Sequence, residues 1–195
     1  MKNFKSEQEF EQAIVDRLTS PKNGWQSFRD ESGNKNGYSV ILQNVTEEIL
    51  VKNWKDILFH NNKDVLNNIS LSDEEMDEVI EKIDNCPNFV ESNILLTNEY
   101  ISIKRSNPAL DPEKIGQEVQ LKIFSKKDIG IGNNIYQIAR QVTFKTTKND
   151  EKRADLMLLF NGMPLIHIEL KNQSEKIQSA ITQIKNYGCV HNLVF

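Results

Sequence analysis

The sequence predicts an α/β domain with a central mixed sheet flanked by helices and a mainly helical N-terminal part. Three observations carry that prediction. Apolar residues recur at helical spacing through roughly the first ninety positions, the period shortens to two from about residue 93, and Asn161-Gly162 stands between two apolar runs as a hairpin turn.

The elements follow in order. Ser6 and Glu9 have capping-box spacing, and Phe10, Ile14, Val15 and Leu18 share a helix face, so a helix is expected over about 6–19, ended by Pro21 and Gly24. Residues 30–38 are polar and glycine-containing, as a loop is. Helical periodicity resumes near Glu47 to Phe59 and again over 62–69. Ser72 and Glu75 repeat the capping signal and open a helix to about Asp84, with acids in its first turn at the positive end of the helix dipole. Cys86-Pro87-Asn88 breaks that run. Ile94 to Leu96 and Tyr100 to Lys104 read as short strands, with turns at Asn107-Pro108 and Asp111-Pro112. Val119, Leu121 and Ile123 alternate as a strand; Tyr136, Ile138, Val142 and Phe144 share one face of another, with Arg140 interrupting it. Leu156 to Phe160 and Leu165 to Leu170 form the hairpin. A helix carrying Ile177, Ile181, Ile184 and Tyr187 follows, stopped by Gly188, and Leu193-Val194-Phe195 reads as a strand cut short, so a longer polypeptide is expected.

Composition narrows the function. With 38% hydrophobic and 27% charged residues the 195-residue chain can bury a core and is not a disordered tail. A net charge of −4 argues against coating nucleic acid through overall charge, while leaving a local basic groove open. No apolar run reaches the roughly 20 residues of a membrane span, and the N-terminus lacks a signal peptide's apolar core. Cys86 and Cys189 are isolated, which disfavours a structural zinc or disulfide scaffold and fits a cytoplasmic address. His60, His167 and His191 have no ligand spacing, no P-loop motif occurs, and Gly130-Ile131-Gly132 lacks the third glycine of a dinucleotide loop. Trp25 and Trp54 read as core, and the acidic run 73–78 as a solvated helix face.

The chemistry concentrates between Asp155 and Lys171. Alternation sends Glu169 and Lys171 to one face at the end of an oily strand, a costly placement that a bound divalent cation would offset. Asp155 joins them only if hairpin parity allows. A two-residue loop pairs residue 155 with 168 and turns Asp155 away, whereas a three-residue loop or a bulge beside Gly162 brings both carboxylates to one side. Such a pair, with a carbonyl and waters, suits Mg²⁺, and Lys171 would then sit where it can activate water or stabilise charge on a phosphate. His167, two residues before Glu169, reads as a packing neighbour rather than a general base. Lys126-Lys127, Lys145, Lys148 and Lys152-Arg153 supply local positive charge that fits phosphates or a solvated loop equally well.

Asp155 with Glu169-Leu170-Lys171 resembles the PD-(D/E)xK nuclease signature; Ala154 stands where the family has proline, a backbone-shaping residue that supplies no ligand. The longer run from Arg153 to Lys171, with its aspartate, apolar strand, N-G-x-P-L and terminal I-E-L-K, looks like the N-terminal nuclease domain of the restriction (R) subunit of type I restriction-modification enzymes. Gln183 and Tyr187 match the Q-x-x-x-Y motif of RecB-like nucleases and share a helix face. The likeness spans most of the chain and is dense over about 153–188.

That resemblance implies a restriction-endonuclease-like fold in a single domain over 1–195, with 1–90 mainly helical and 93–195 forming the catalytic sheet. It implies Mg²⁺ held by Asp155 and Glu169, with the Leu170 carbonyl as a third ligand and a first-helix glutamate contributing. Glu7 and Glu11, one turn apart, both fit, and the sequence leaves both open. Lys171 would position or activate water for in-line attack, leaving a 3′-hydroxyl and a 5′-phosphate, while Gln183 and Tyr187 orient the site and the strand. The wider implication is a longer subunit in which helicase-type motor domains follow residue 195 and use ATP. That subunit acts on double-stranded DNA in the cytoplasm, away from membranes, with modification and specificity subunits. Little cleavage by the isolated chain is then expected. A standalone or repair-type nuclease and a catalytically idle nuclease-shaped binding module are the rival readings.

Overall fold

A computed structural model describes residues 6–20, 34–35, 37–85, 89–125, 134–145, 151–171, 178–179 and 181–182. Helix α1 (Glu7–Leu18) is followed by short strands β1 (Asn34–Lys35), β2 (Tyr38–Ser39) and β3 (Ile41–Gln43), then by α2 (Glu47–Asn61), α3 (Asp73–Asp84) and α4 (Phe89–Asn98). Strands β4 (Tyr100–Lys104), β5 (Glu118–Lys122), β6 (Tyr136–Lys145), β7 (Glu151–Phe160) and β8 (Met163–Ile168) complete the described fold. The central sheet has the order β3-β6-β7-β8, with β3 parallel to β6 and the remaining pairs antiparallel. The predicted α/β class with a mixed sheet is therefore observed.

Caps set the helix starts. The Ser6 hydroxyl accepts the Glu9 N–H at 3.1 Å, Thr46 caps α2, and Ser72 with Glu75 forms a complete capping box at α3. Packing then arranges the layers. On one face of the sheet, Val15 of α1 packs with Ile138, Leu156, Leu158 and Leu170. On the other, Leu50 of α2 packs with Ala139, Met157 and Leu159. Beyond α2 a third cluster joins Trp54 and Leu58 to Met76 and Val79 of α3 and to Ile101, Ile103 and Leu121 of the β4–β5 hairpin.

Several expectations change. Residues 62–69 form consecutive turns rather than a helix: Asn67 and Asn68 take φ of +54° and +57°, and the Asn62 side chain bonds Lys122 N–H and C=O of β5 instead of solvent. Ile94 to Leu96 lie in α4, not in a strand. Three apolar residues in a row carry no period of their own, and the segment from Phe89 to Asn98 ends in a left-handed Glu99 (φ +63°) that turns the chain into β4. The sheet also draws on the mainly helical first part of the chain, since β3 supplies an edge of the central sheet. Residues 86–88 and the strand expected at 193–195 lie outside the described residues. Trp25 does too, whereas Trp54 is core at 5% exposure. Among the described residues no helix is long and apolar enough to cross a membrane.

The hairpin tip shows how tightly β7–β8 is seated. Asn161 (φ +51°) and Gly162 (φ +84°) form the two-residue turn, and the buried Asn161 amide bonds Ile123 C=O, Ile135 N–H and the Asn134 side chain. A Cβ on Gly162 would lie 2.7 Å from the Trp54 Cα, backbone that cannot swing away. Gly162→Ala is therefore expected to cost about 2–4 kcal/mol, from overpacking plus the left-handed penalty. Urea unfolding checks this; a variant within about 0.5 kcal/mol of wild type would contradict the contact.

Candidate active site

The site is built where β6, β7 and β8 lose their regular pairing. On β8 the register moves from Leu158↔Ile166 to Leu159↔Pro164, so Leu165 is the extra residue of a bulge. The loop is thus two residues long and a bulge follows it; the ladder's last pair is Leu156↔Ile168, one step short of Asp155 and Glu169.

A second irregularity lies on the other side of β7. The β6–β7 ladder runs through Arg140↔Leu156 and Val142↔Ala154 but omits the pair between them, Gln141 and Asp155. Gln141 has φ +52°, a left-handed conformation costing a non-glycine residue about 1–3 kcal/mol. Alternation breaks here. Ile138 and Leu156 pack beneath α1, whereas Val142, Phe144 and Ala154 pack on the α2 side. The expectation that Tyr136, Ile138, Val142 and Phe144 share one face is therefore corrected, and Gln141 marks the break.

Asp155 is half-buried, and its Oδ2 accepts the Leu170 N–H at 2.8 Å. Burial pushes its carboxyl above the ordinary aspartate value; the Leu170 N–H and the Lys171 ammonium oppose that rise, while the negative charges of Glu169 and Glu7 add to it. Asp155 thus lies within electrostatic reach of Glu169, Lys171 and Glu7. The Glu169 side chain is 1% exposed, with Oε1 3.4 Å from Lys171 Nζ and Oε2 3.4 Å from His167 Nε2. His167 is therefore a close neighbour of Glu169.

Glu7 and Glu11 are distinguished by their partners. Glu11 is buried, its Oε1 accepting from Arg140 Nε at 2.6 Å and its Oε2 from Gln141 Nε2 at 2.5 Å. Glu7 is half-buried and is the first-helix charge that Asp155 senses. Both line a polar cleft of about 380 Å³, together with Arg140, Gln141, Arg153 and Asp155. Leu170 contributes its N–H to Asp155 and its side chain to the α1-side core. Gln183 and Tyr187 lie outside the described residues. The sequence does not mark Arg140 or Gln141 as site residues; an arginine inside an apolar alternation is the one visible signal, and Gln141 gives none.

The donor set fits a hard divalent ion. Glu169 Oε2 is buried and makes no hydrogen bond among the described residues, His167 Nε2 at 3.4 Å being its neighbour; a cation would satisfy it, and the oxygens nearby are carboxylates. Among the described residues no three His, Cys, Asp or Glu side chains form one cluster suited to a metal. An ion here would rest on two carboxylates, with backbone oxygen and water completing its shell, which is the habit of Mg²⁺.

Comparison with known proteins gives the wider context. The family description "Type I restriction enzyme R protein N terminus" matches residues 4–191. The SsaAORF53P endonuclease subunit of a type I restriction enzyme from Staphylococcus saprophyticus is 30% identical over 153 residues, covering 78% of this chain and 15% of that protein. The SauMSSORF170P endonuclease subunit of a type I restriction enzyme from Staphylococcus aureus strain MSSA476 is 28% identical over 151 residues, covering 77% and 15% respectively. The chain thus spans about 15% of the length of these relatives. With nearly its whole length matched, the chain belongs to the type I restriction enzyme R protein N-terminal family.

Proposed function

We propose that this chain is a Mg²⁺-dependent endonuclease module that hydrolyses phosphodiester bonds of double-stranded DNA within a type I restriction R subunit. One observation carries the reading: a half-buried aspartate with a raised pKa, within electrostatic reach of Glu169 and Lys171, at a break in the β6–β7 ladder. Asp155 and Glu169 would hold the ion, with the Leu170 carbonyl as a third ligand and Glu7 as the first-helix contributor. When bound, the ion supplies Lewis-acid stabilisation of charge on the phosphate and lowers the pKa of water.

The chain's own residues do the rest. The Leu170 N–H fixes the Asp155 rotamer. Lys171, partly exposed and paired to Glu169, offers an ammonium to the water or to the phosphate charge that builds during in-line attack. Arg153, exposed on β7 and lining the cleft, suits a phosphate of the DNA backbone. Gln183 and Tyr187 keep the orienting role that their motif implies. The same reading assigns ATP-driven translocation to motor domains of a longer subunit, partnership to modification and specificity subunits, and a cytoplasmic location.

A second reading, an idle nuclease-shaped module, draws on the lack of a three-residue metal cluster among the described residues. Calorimetric titration of Mg²⁺ or Mn²⁺ separates the two. Saturable heat in wild type that is lost in Asp155→Ala is expected; equal heats in both proteins would favour the idle module.

A further inference from the structure

Glu11 is 3% exposed on a helix whose neighbouring Glu9, Phe10 and Gln12 are exposed. Its two oxygens grip two consecutive residues of β6, Arg140 at Oε1 and Gln141 at Oε2, and Gln12 Oε1 accepts a further bond from Arg140 Nη1 at 3.0 Å. That grip falls at the point where β6 leaves its ladder. Gln141 holds φ +52° there, a conformation that glutamine adopts only when something outside its own backbone secures it. Across the gap stands Asp155, released from regular pairing and bonded to the Leu170 N–H. Charge-assisted bonds of this kind are the stronger ones, and here a single carboxylate supplies both.

We propose that Glu11 is a positioning residue: by clamping Gln141 in the left-handed conformation it opens the β6–β7 ladder at Asp155 and aims that carboxylate at Leu170 and the cleft. The clamp acts through the Arg140 and Gln141 side chains and assigns Glu11 no bond to an ion. It leaves Glu7 as the first-helix carboxylate that faces Asp155. The proposal rests on the reading of Asp155 given above, and its test separates the two.

The metal-free readout is amide hydrogen exchange at Leu170, whose N–H is protected by Asp155, measured by NMR against the amides of β7 in the purified chain. Glu11→Ala is expected to deprotect Leu170 selectively and to weaken Mn²⁺ binding by about 10–100-fold, the usual consequence of losing a residue that orients a ligand. Adding Gln141→Gly to that variant is expected to restore both, because glycine takes positive φ without a clamp. If Glu11→Ala is poorly folded, Glu11→Gln gives the same comparison with a smaller disturbance, since one carbonyl oxygen then replaces two. Leu170 protection that survives the loss of Glu11, or a double variant that recovers nothing, overturns the clamp. Failure of wild type to bind Mn²⁺ overturns the functional reading instead, and the exchange measurement still decides the clamp.

Discussion

Asp155→Asn is expected to reduce DNA cleavage by the complete restriction enzyme on the order of 10³-fold or more, comparable with removing a key electrostatic group from a hydrolytic site, while the protein stays folded. Asparagine keeps the shape of aspartate and can still accept the Leu170 N–H through its carbonyl oxygen, so the local structure survives. What disappears is the charge that would hold a cation. The direction of the Asp155 shift adds a second, independent expectation. Its folded carboxyl is raised, chiefly by burial, so stability from this group is fully present below its unfolded pKa and is lost as pH rises through the folded one. Burial thus makes the charged form of Asp155 the costlier one in the ion-free protein. The asparagine variant in chelator should therefore melt at or above wild type, a trade of stability for function. Plasmid cleavage with ATP, alongside ATP hydrolysis as a control, measures the first expectation and thermal unfolding in chelator the second. Cleavage at the wild-type rate would remove Asp155 from the chemistry altogether.

Local signals announced much of this arrangement. Serine caps, helical spacing and the Asn161-Gly162 turn act over a few residues, so α1, α3, β4 and the β7–β8 hairpin are legible in the sequence alone. Requirements of parity were also legible. An acid at 155 can stand level with Glu169 only with an odd loop or a bulge, and the bulge is present at Leu165. Failures came where tertiary contacts override local pattern. Residues 62–69 have helical spacing, yet Asn62 is drawn to β5 and two left-handed asparagines end the run. The β6 face switches at Gln141 because Glu11, 130 positions away in sequence, holds it. No window of sequence contains that pair. Arg140 hinted at it, since a cation within an apolar alternation needs a partner, but the partner's identity came from the fold.

Glu75→Ala is expected to destabilise the chain by about 3–5 kcal/mol, the range for removing one member of a buried ion pair. The Glu75 and Arg105 side chains are 0% and 2% exposed, with Arg105 Nε 3.0 Å from Glu75 Oε1. Elsewhere such a pair can often be replaced by apolar residues at no cost; here that remedy should fail. Glu75 Oε1 also accepts the Ser106 and Asn107 N–H groups, its Oε2 closes the α3 capping box on Ser72, and Arg105 donates to the Leu66 and Ile69 carbonyls. The pair thus gathers three chain segments, and a Glu75→Leu/Arg105→Met double variant strands those backbone groups, each at about 1–3 kcal/mol where buried. Urea unfolding at neutral pH should find it well below wild type; a double variant as stable as wild type would show that the pair is dispensable. The pH dependence has a definite sign. Burial works to raise the Glu75 carboxyl, but the Ser106, Ser72 and Asn107 N–H groups and the Arg105 guanidinium outweigh it, so the folded pKa lies below the ordinary glutamate value. Its contribution is then fully present above the unfolded pKa and is lost as pH falls through the lower folded value. Acid titration of stability should accordingly show a steeper loss in wild type than in Glu75→Gln below the ordinary glutamate range, because glutamine has no proton to take up there.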